Sequence, residues 1–208
     1  MQPKFLCLGE GDRKVYSLKL GDELKRILPI VAVSERISIA SFNMLGDVAL
    51  IEYCAEKLTS RLELIFKPSD VDYFVVPEVK GIPLAHEIAK KYRTEYIGYH
   101  EYIVLRKNKK LYMEGYAAFV FNSITTKEKQ ALYIESSDIL KLENKKVVII
   151  DDVFSSGSTL KAVLELMKVA AAKVVSACAV LIEGDFDASK ICPDIPVIYL
   201  GHLPIFEK

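Results

Sequence analysis

No apolar run in this chain approaches the ~18 residues that cross a bilayer. Its first ten residues, Met-Gln-Pro-Lys-Phe-Leu-Cys-Leu-Gly-Glu, do not have the layout of a signal peptide. Neither charge is in excess: 28 lysines and arginines face 28 aspartates and glutamates. General nucleic-acid binding needs a concentrated basic face, so this balance argues against it. Cysteine is scarce. Cys7, Cys54, Cys178 and Cys192 are scattered without a Cys-x-x-Cys pair, which argues against structural zinc and for a reduced, cytoplasmic setting. Cys54 and Cys178 lie among apolar neighbours and read as buried hydrophobes. Internal repeats and low-complexity tracts are missing as well. What remains is a chain of 208 residues, 51% hydrophobic, long enough for one domain with a substantial core and somewhat short for two. Neither a membrane nor a nucleic acid is expected as a partner.

The most informative stretch runs from Val147 to Thr159 and reads Val-Val-Ile-Ile-Asp-Asp-Val-Phe-Ser-Ser-Gly-Ser-Thr. Four β-branched residues in a row suit a strand buried on both faces of a parallel sheet. Asp151 and Asp152 fall at its carboxyl end, where open α/β sheets bind their ligands. A hydroxyl-rich loop with Gly157 in its middle follows, and Leu160, Val163, Leu164 and Met167 then recur at helical spacing. Such a turn between strand and helix can cradle a phosphate. Backbone N–H groups and the helix N-terminus supply donors, and Ser155, Ser156, Ser158 and Thr159 add hydroxyls. Gly157 lets the backbone come close to the ligand. The paired carboxylates are acceptors, so they should meet hydroxyls or a metal rather than the phosphate. A ribose 5-phosphate offers a phosphate at one end and a diol a few ångströms away. The competing reading is an ordinary strand ending in an Asp cap and a turn.

Residues 4–40 read as β structure: Lys4–Leu8 and Lys14–Leu20 around the turn Gly9–Asp12, a second turn at Gly21-Asp22, then Ile27–Val33 and Arg36–Ala40. Asp47 caps a helix whose buried face is Leu50, Ile51, Cys54, Ala55 and Leu58. Asp72–Pro77 is a short buried strand ending at Glu78-Val-Lys-Gly81. A helix from about Ile82 to Tyr92 follows, with Pro83 in its tolerant first turn. Glu101–Leu105 is the next strand. It is closed by Arg106-Lys-Asn-Lys-Lys110, a charge run that by itself reads as a solvated face. Tyr116–Thr125 and Gln130–Glu135 form a long hairpin around Lys127-Glu-Lys129. Val174–Ile182 and Val197–Leu200 are the last strands, with Glu183–Phe186 as a turn between them and Pro193 and Pro196 stiffening the connector. His202 in the tail reads as structural.

The Val147–Thr159 run resembles the phosphoribosyl diphosphate (PRPP) signature of type I phosphoribosyltransferases. Glu78–Gly81 resembles the diphosphate loop of the purine branch, where adenine and xanthine enzymes carry Glu-x-(Arg/Lys/Ser)-Gly. The resemblance implies an α/β fold: a Rossmann-like parallel sheet flanked by helices, here 47–208, with a flexible hairpin flap at about 107–135. An N-terminal β-rich hood, here 1–46, completes what is a single domain overall. It implies purine salvage by transfer of the 5-phosphoribosyl group from PRPP to a purine base, with release of diphosphate. In that reaction Asp151 and Asp152 contact the ribose 2- and 3-hydroxyls and, through the ligand or water, a Mg²⁺. Ser155, Ser156, Gly157, Ser158 and Thr159 hold the 5-phosphate. Val79, Lys80 and Gly81 receive the diphosphate, with Lys80 joining the acid pair as a catalytic candidate. Arg106 and Lys107 resemble the basic pair that purine transferases place nearby, where such a residue can serve the neighbouring subunit of a homodimer.

Ser41–Gly46 is the candidate base pocket: Phe42 stacks on a purine and Asn43 bonds its edge, or else Phe42 is core and Asn43 a turn residue. Three departures from the family pattern bear on the base. Ser155 stands where hypoxanthine-guanine enzymes have an Asp, Thr125 stands roughly where adenine enzymes have a flap Glu, and Gly184 replaces a Lys expected of xanthine enzymes. With no cation placed near O6, a 6-amino purine is favoured, which makes the chain adenine-like by elimination. The alternatives are a non-catalytic PRPP- or nucleotide-binding regulator of the same fold, or a pyrimidine acceptor.

Overall fold

A computed structural model describes residues 14–93, 98–122 and 129–207. The expected strand Lys4–Leu8, the turn Gly9–Asp12 and hairpin residues 123–128, Thr125 and Lys127 among them, lie outside the described residues. The chain divides into two compact units, one of residues 43–203 and one that joins residues up to 42 with those from 204 onward.

The larger unit is built on a parallel sheet. Its strands are β4 (Tyr73–Pro77), β5 (Glu101–Leu105), β8 (Lys146–Phe154), β9 (Lys173–Glu183) and β10 (Val197–Leu203), in the spatial order β10-β9-β8-β4-β5. In chain order that is 5-4-3-1-2, the doubly wound pattern that reverses direction between its first and third strands. Every side chain from Val147 to Asp151 is buried, as a run of β-branched residues between two helical layers requires.

On one face Val75, Val147, Ile149, Ala177 and Ala179 pack with Leu160, Val163, Leu166 and Met167 of helix α4 (Ser158–Val169). Leu132 and Ile134, from the hairpin β6 (Tyr116–Asn122) and β7 (Lys129–Glu135), join the same cluster, as does Leu142 of the short helix α3 (Ser136–Leu142). The alternate residues Phe74, Val76, Val148, Ile150, Cys178 and Val180 are also buried. Because side chains alternate along a strand, these face the other layer, made by α1 (Val48–Glu63) and α2 (Ile82–Lys91). Asp47 does cap α1, its Oδ1 accepting the Leu50 N–H at 3.1 Å. Leu50, Ile51, Cys54, Ala55 and Leu58 form the buried stripe, which extends to Leu62.

The smaller unit is an antiparallel sheet in the order β1-β2-β3-β11, from Val15–Leu20, Leu24–Ala32, Ile37–Ala40 and Ile205–Glu207. Leu18, Leu20, Leu28, Ala40 and Phe42 are its buried apolar residues, with Ser38 also buried. Tyr16 and Phe206 meet edge to face at 6.2 Å. The fourth strand, β11, lies far along the chain from β3, with which it pairs, so no local pattern links the two.

Candidate active site

The two loops that the sequence singles out leave adjacent strands, β4 and β8, at the switch point of the sheet. Helices on either side of such a point run away in opposite directions and leave a crevice beyond the strand ends. The loop after β4 is Glu78-Val79-Lys80-Gly81, with a cis peptide between Glu78 and Val79. Gly81 lies so close to β8 that an added Cβ would stand 3.0 Å from Val76 Cγ2 and 3.3 Å from Asp151 Cα. The absence of a side chain there lets the two loops touch.

Asp151 is buried (9% exposed) and Asp152 is half-buried. The Asp152 N–H donates to Asp151 Oδ1 at 2.9 Å. Burial, and next the like charge of Asp152, hold the Asp151 carboxyl well above the usual carboxylate range; the Lys107 ammonium is among the influences pulling the other way. Lys80 Nζ lies 3.8 Å from Asp152 Oδ2. The structure therefore brings the acid pair, Lys80 and Lys107 into one electrostatic neighbourhood. Val79 is exposed beside them.

It also adds Glu183, at the carboxyl end of β9, which the sequence reading treated only as part of a turn. Burial is the first cause that raises its carboxyl; the Lys80 charge opposes that rise and the Asp152 charge adds to it. The signal was available in principle, since Glu183 ends the strand next to β8. The register that brings it near is a long-range property, however.

The phosphate-type loop, Ser155–Thr159, opens α4. Gly157 occupies the N-cap position with φ +75°, and the first helical N–H, that of Ser158, donates to Ser156 Oγ at 3.3 Å. Ser156 and Ser158 hydroxyls lie 3.0 Å apart. The fold supplies its own reason for a glycine at position 157. Its conformation is left-handed, and an added Cβ would fall 2.0 Å from Ile191 Cδ1 and 3.7 Å from Phe186 Cε2. Phe186 in turn stacks on Phe154 at 5.5 Å. Gly157 thus also fits the loop against Ile191 and Phe186 of the β9–β10 connection.

Arg106 ends β5 beside the same loops, with Nε 3.2 Å from Glu78 Oε1, an ion-pair distance without hydrogen-bond alignment. Lys107 is exposed. The proposed base residues behave as the second of their two readings describes. Phe42 is 4% exposed and packed as core, and Asn43 Oδ1 accepts the Leu45 N–H at 3.2 Å as a turn residue does. His202, which carried no chemical role, places Nε2 2.8 Å from the Gly184 carbonyl oxygen and steadies the turn after β9.

A doubly wound sheet with a carboxylate pair, a glycine-started helix and two cationic side chains at its switch point defines an α/β protein with a charged crevice where such sheets bind ligands. The chain belongs to the phosphoribosyl transferase family: residues 49–194 match the phosphoribosyl transferase domain. It is 30% identical over 156 residues to the adenine phosphoribosyltransferase of Treponema denticola, covering 74% of each chain. It is 35% identical over 109 residues to the adenine phosphoribosyltransferase of Mycoplasma capricolum; that match takes in 52% of this chain and spans only 58% of the relative's length. Among solved structures, the adenine phosphoribosyltransferase of Saccharomyces cerevisiae, in complex with an imino-altritol bisphosphate and adenine, superposes with a TM-score of 0.64 at 18% identity, covering 89% of this chain and 93% of that one. The likeness confirms the fold: a parallel core of this family. Among the described residues no helix is long and apolar enough to cross a membrane.

Proposed function

We propose that the protein is a purine phosphoribosyltransferase, with adenine the favoured base, that moves the 5-phosphoribosyl group of PRPP onto a purine nitrogen and releases diphosphate. The observation that carries this reading is the contact between the two switch-point loops: Asp152, one of a carboxylate pair suited to a diol, lies 3.8 Å from Lys80, a lysine suited to a diphosphate. Asp151 and Asp152 accept hydrogen bonds from the ribose 2- and 3-hydroxyls. Ser155 to Thr159 hold the 5-phosphate through backbone N–H groups and hydroxyls. Val79, Lys80 and Gly81 receive the diphosphate, with Arg106 and Lys107 alongside.

The bond from C1 to the diphosphate oxygen breaks, and its electron pair leaves with the diphosphate. A ring nitrogen of the base bonds to C1, and its proton passes to water or to the departing diphosphate. The protein's share is to hold the sugar between its two ends and to offset charge as it moves from C1 to the leaving group. Among the described residues no cluster of three or more metal-ligating side chains exists. Two adjacent carboxylates nonetheless suit Mg²⁺, which binds through one or two carboxylates plus the oxygens of its phosphorylated partner. Such an ion, beside Asp151 and Asp152, would supply further neutralisation of the diphosphate.

Residues 1–46 as a hood over the base, a flap at about 107–135, a homodimer and a cytoplasmic setting belong to the same reading. The setting fits Cys54, Cys178 and Cys192, which are buried and reduced. The test is to incubate the protein with PRPP and Mg²⁺ and, in turn, adenine, hypoxanthine, guanine, xanthine and orotate, measuring diphosphate release. Turnover with adenine is expected to exceed that with the others. Tight PRPP binding without turnover on any base would instead identify a regulator that senses PRPP.

A further inference from the structure

Glu78 has no part in the mechanism just given, yet it holds several pieces of the site together. Its backbone N–H donates to the Leu105 carbonyl at 2.9 Å, carrying the β4–β5 pairing one step past the strands. Its carboxylate then binds the segment after β5 at two points. Oε2 accepts the Lys107 backbone N–H at 2.8 Å, and Oε1 lies 3.2 Å from Arg106 Nε. Arg106 exchanges both of its backbone hydrogen bonds with Tyr133 on β7, at 2.9 and 2.8 Å. One carboxylate, 17% exposed, therefore joins the start of the diphosphate loop, the basic pair and the base of the hairpin.

We propose that Glu78 is a positioning residue for diphosphate recognition, acting through Arg106; this rests on the PRPP reading above. The guanidinium is a rigid plane with five donors. The Glu78 carboxylate, 3.2 Å from Nε but not aligned as a hydrogen bond, restrains the guanidinium as an ion pair, and the guanidinium's N–H donors suit a pair of phosphate oxygens. The same carboxylate holds the Lys107 backbone against the loop, so both cations are presented from a fixed strand end. Charge alone argues the other way: a carboxylate beside an anion site repels the anion, and removing it should tighten binding. Positioning and repulsion thus predict opposite signs for one substitution.

The experiment titrates wild type, Glu78→Gln, Arg106→Met and the double variant with inorganic diphosphate and with PRPP by calorimetry, with melting temperature as the folding control. Glu78→Gln keeps an oxygen for the Lys107 amide and removes only the charge; Arg106→Met reads the same pairing from its other side. A folded wild type that binds neither ligand removes the PRPP reading itself. With wild-type binding in hand, Glu78→Gln is expected to weaken both ligands about tenfold. The KM for PRPP should rise while kcat stays within a factor of three, and Glu78→Asp should recover part of the loss. The double variant should bind no more weakly than Arg106→Met alone. Unchanged or tighter diphosphate binding by Glu78→Gln, or an effect of full size in the Arg106→Met background, overturns the assignment.

Discussion

Asp151, on the proposed reading, gives up stability in exchange for a place on the ribose. Its carboxylate is buried next to a second carboxylate, and both circumstances disfavour the charged form. Asp151→Asn keeps an oxygen for the Asp152 N–H and removes the charge. In the absence of ligand it should therefore melt higher than wild type, each kcal/mol gained being worth roughly 2–4 °C in a chain of this length. Affinity for PRPP should fall by at least tenfold at the same time. Scanning calorimetry and a PRPP titration on one sample check both halves; a lower Tm would show that the carboxylate supports the fold. This residue and its neighbours were legible because the signal is contiguous: strand, acid pair and hydroxyl loop follow one another in thirteen residues. Glu183, Phe186 and Ile191 were not legible, because what brings them to the site is strand register and the path of a connector. The positive φ of Gly157 and its closeness to Ile191 are a second reason for a glycine there, one that only the folded loop displays.

At the scale of elements, the site exists because two strand-to-loop transitions are adjacent across β4 and β8. Gly81 sets how closely they approach. Gly81→Ala would place a Cβ against Val76 and the Asp151 backbone, neither of which is the free end of a flexible chain. Overpacking of this kind costs ~1–3 kcal/mol. Displacing the diphosphate loop by a fraction of an ångström should lower affinity for inorganic diphosphate by roughly tenfold or more. Equal affinity in the variant would mean that the loops need not touch. Most elements were readable from periodicity. The buried strands Tyr73–Pro77 and Glu101–Leu105 and the stripe of α1 fall within one residue of the expected places, or extend them slightly. In α4 the buried stripe takes Leu166 where Leu164 was expected, and Leu164 is only partly buried. Two elements were missed for physical reasons. The short α3 is too brief to show a helical period. Strand β11 has three residues, and only its pairing with Ile37–Ile39 gives it an identity.

At the scale of the whole molecule, pH should act on stability through a residue far from the acid pair in sequence. His100 is 9% exposed, packed between the rings of Phe74 (5.7 Å) and Tyr92 (5.5 Å), and its Nε2 makes no hydrogen bond among the described residues. Burial lowers its pKa, with a backbone contact and the charge at Asp72 opposing that shift. A histidine whose folded pKa lies below its unfolded value, near 6.5, binds fewer protons when folded. Its contribution to stability is therefore complete above about pH 6.5 and is lost as the pH falls through the unfolded pKa towards the lower folded one. The loss should reach the entire larger unit, since Phe74 and Tyr92 tie β4 to the end of α2 and both are buried at its core. Urea unfolding at pH 8, 7, 6 and 5.5 should show a fall in ΔG below pH 6.5 that is shallower in His100→Phe, which keeps an aromatic ring between the two neighbours and carries no titrating nitrogen. Parallel profiles for the two proteins would mean that carboxylates elsewhere govern the acid side and that His100 stays neutral across the whole range.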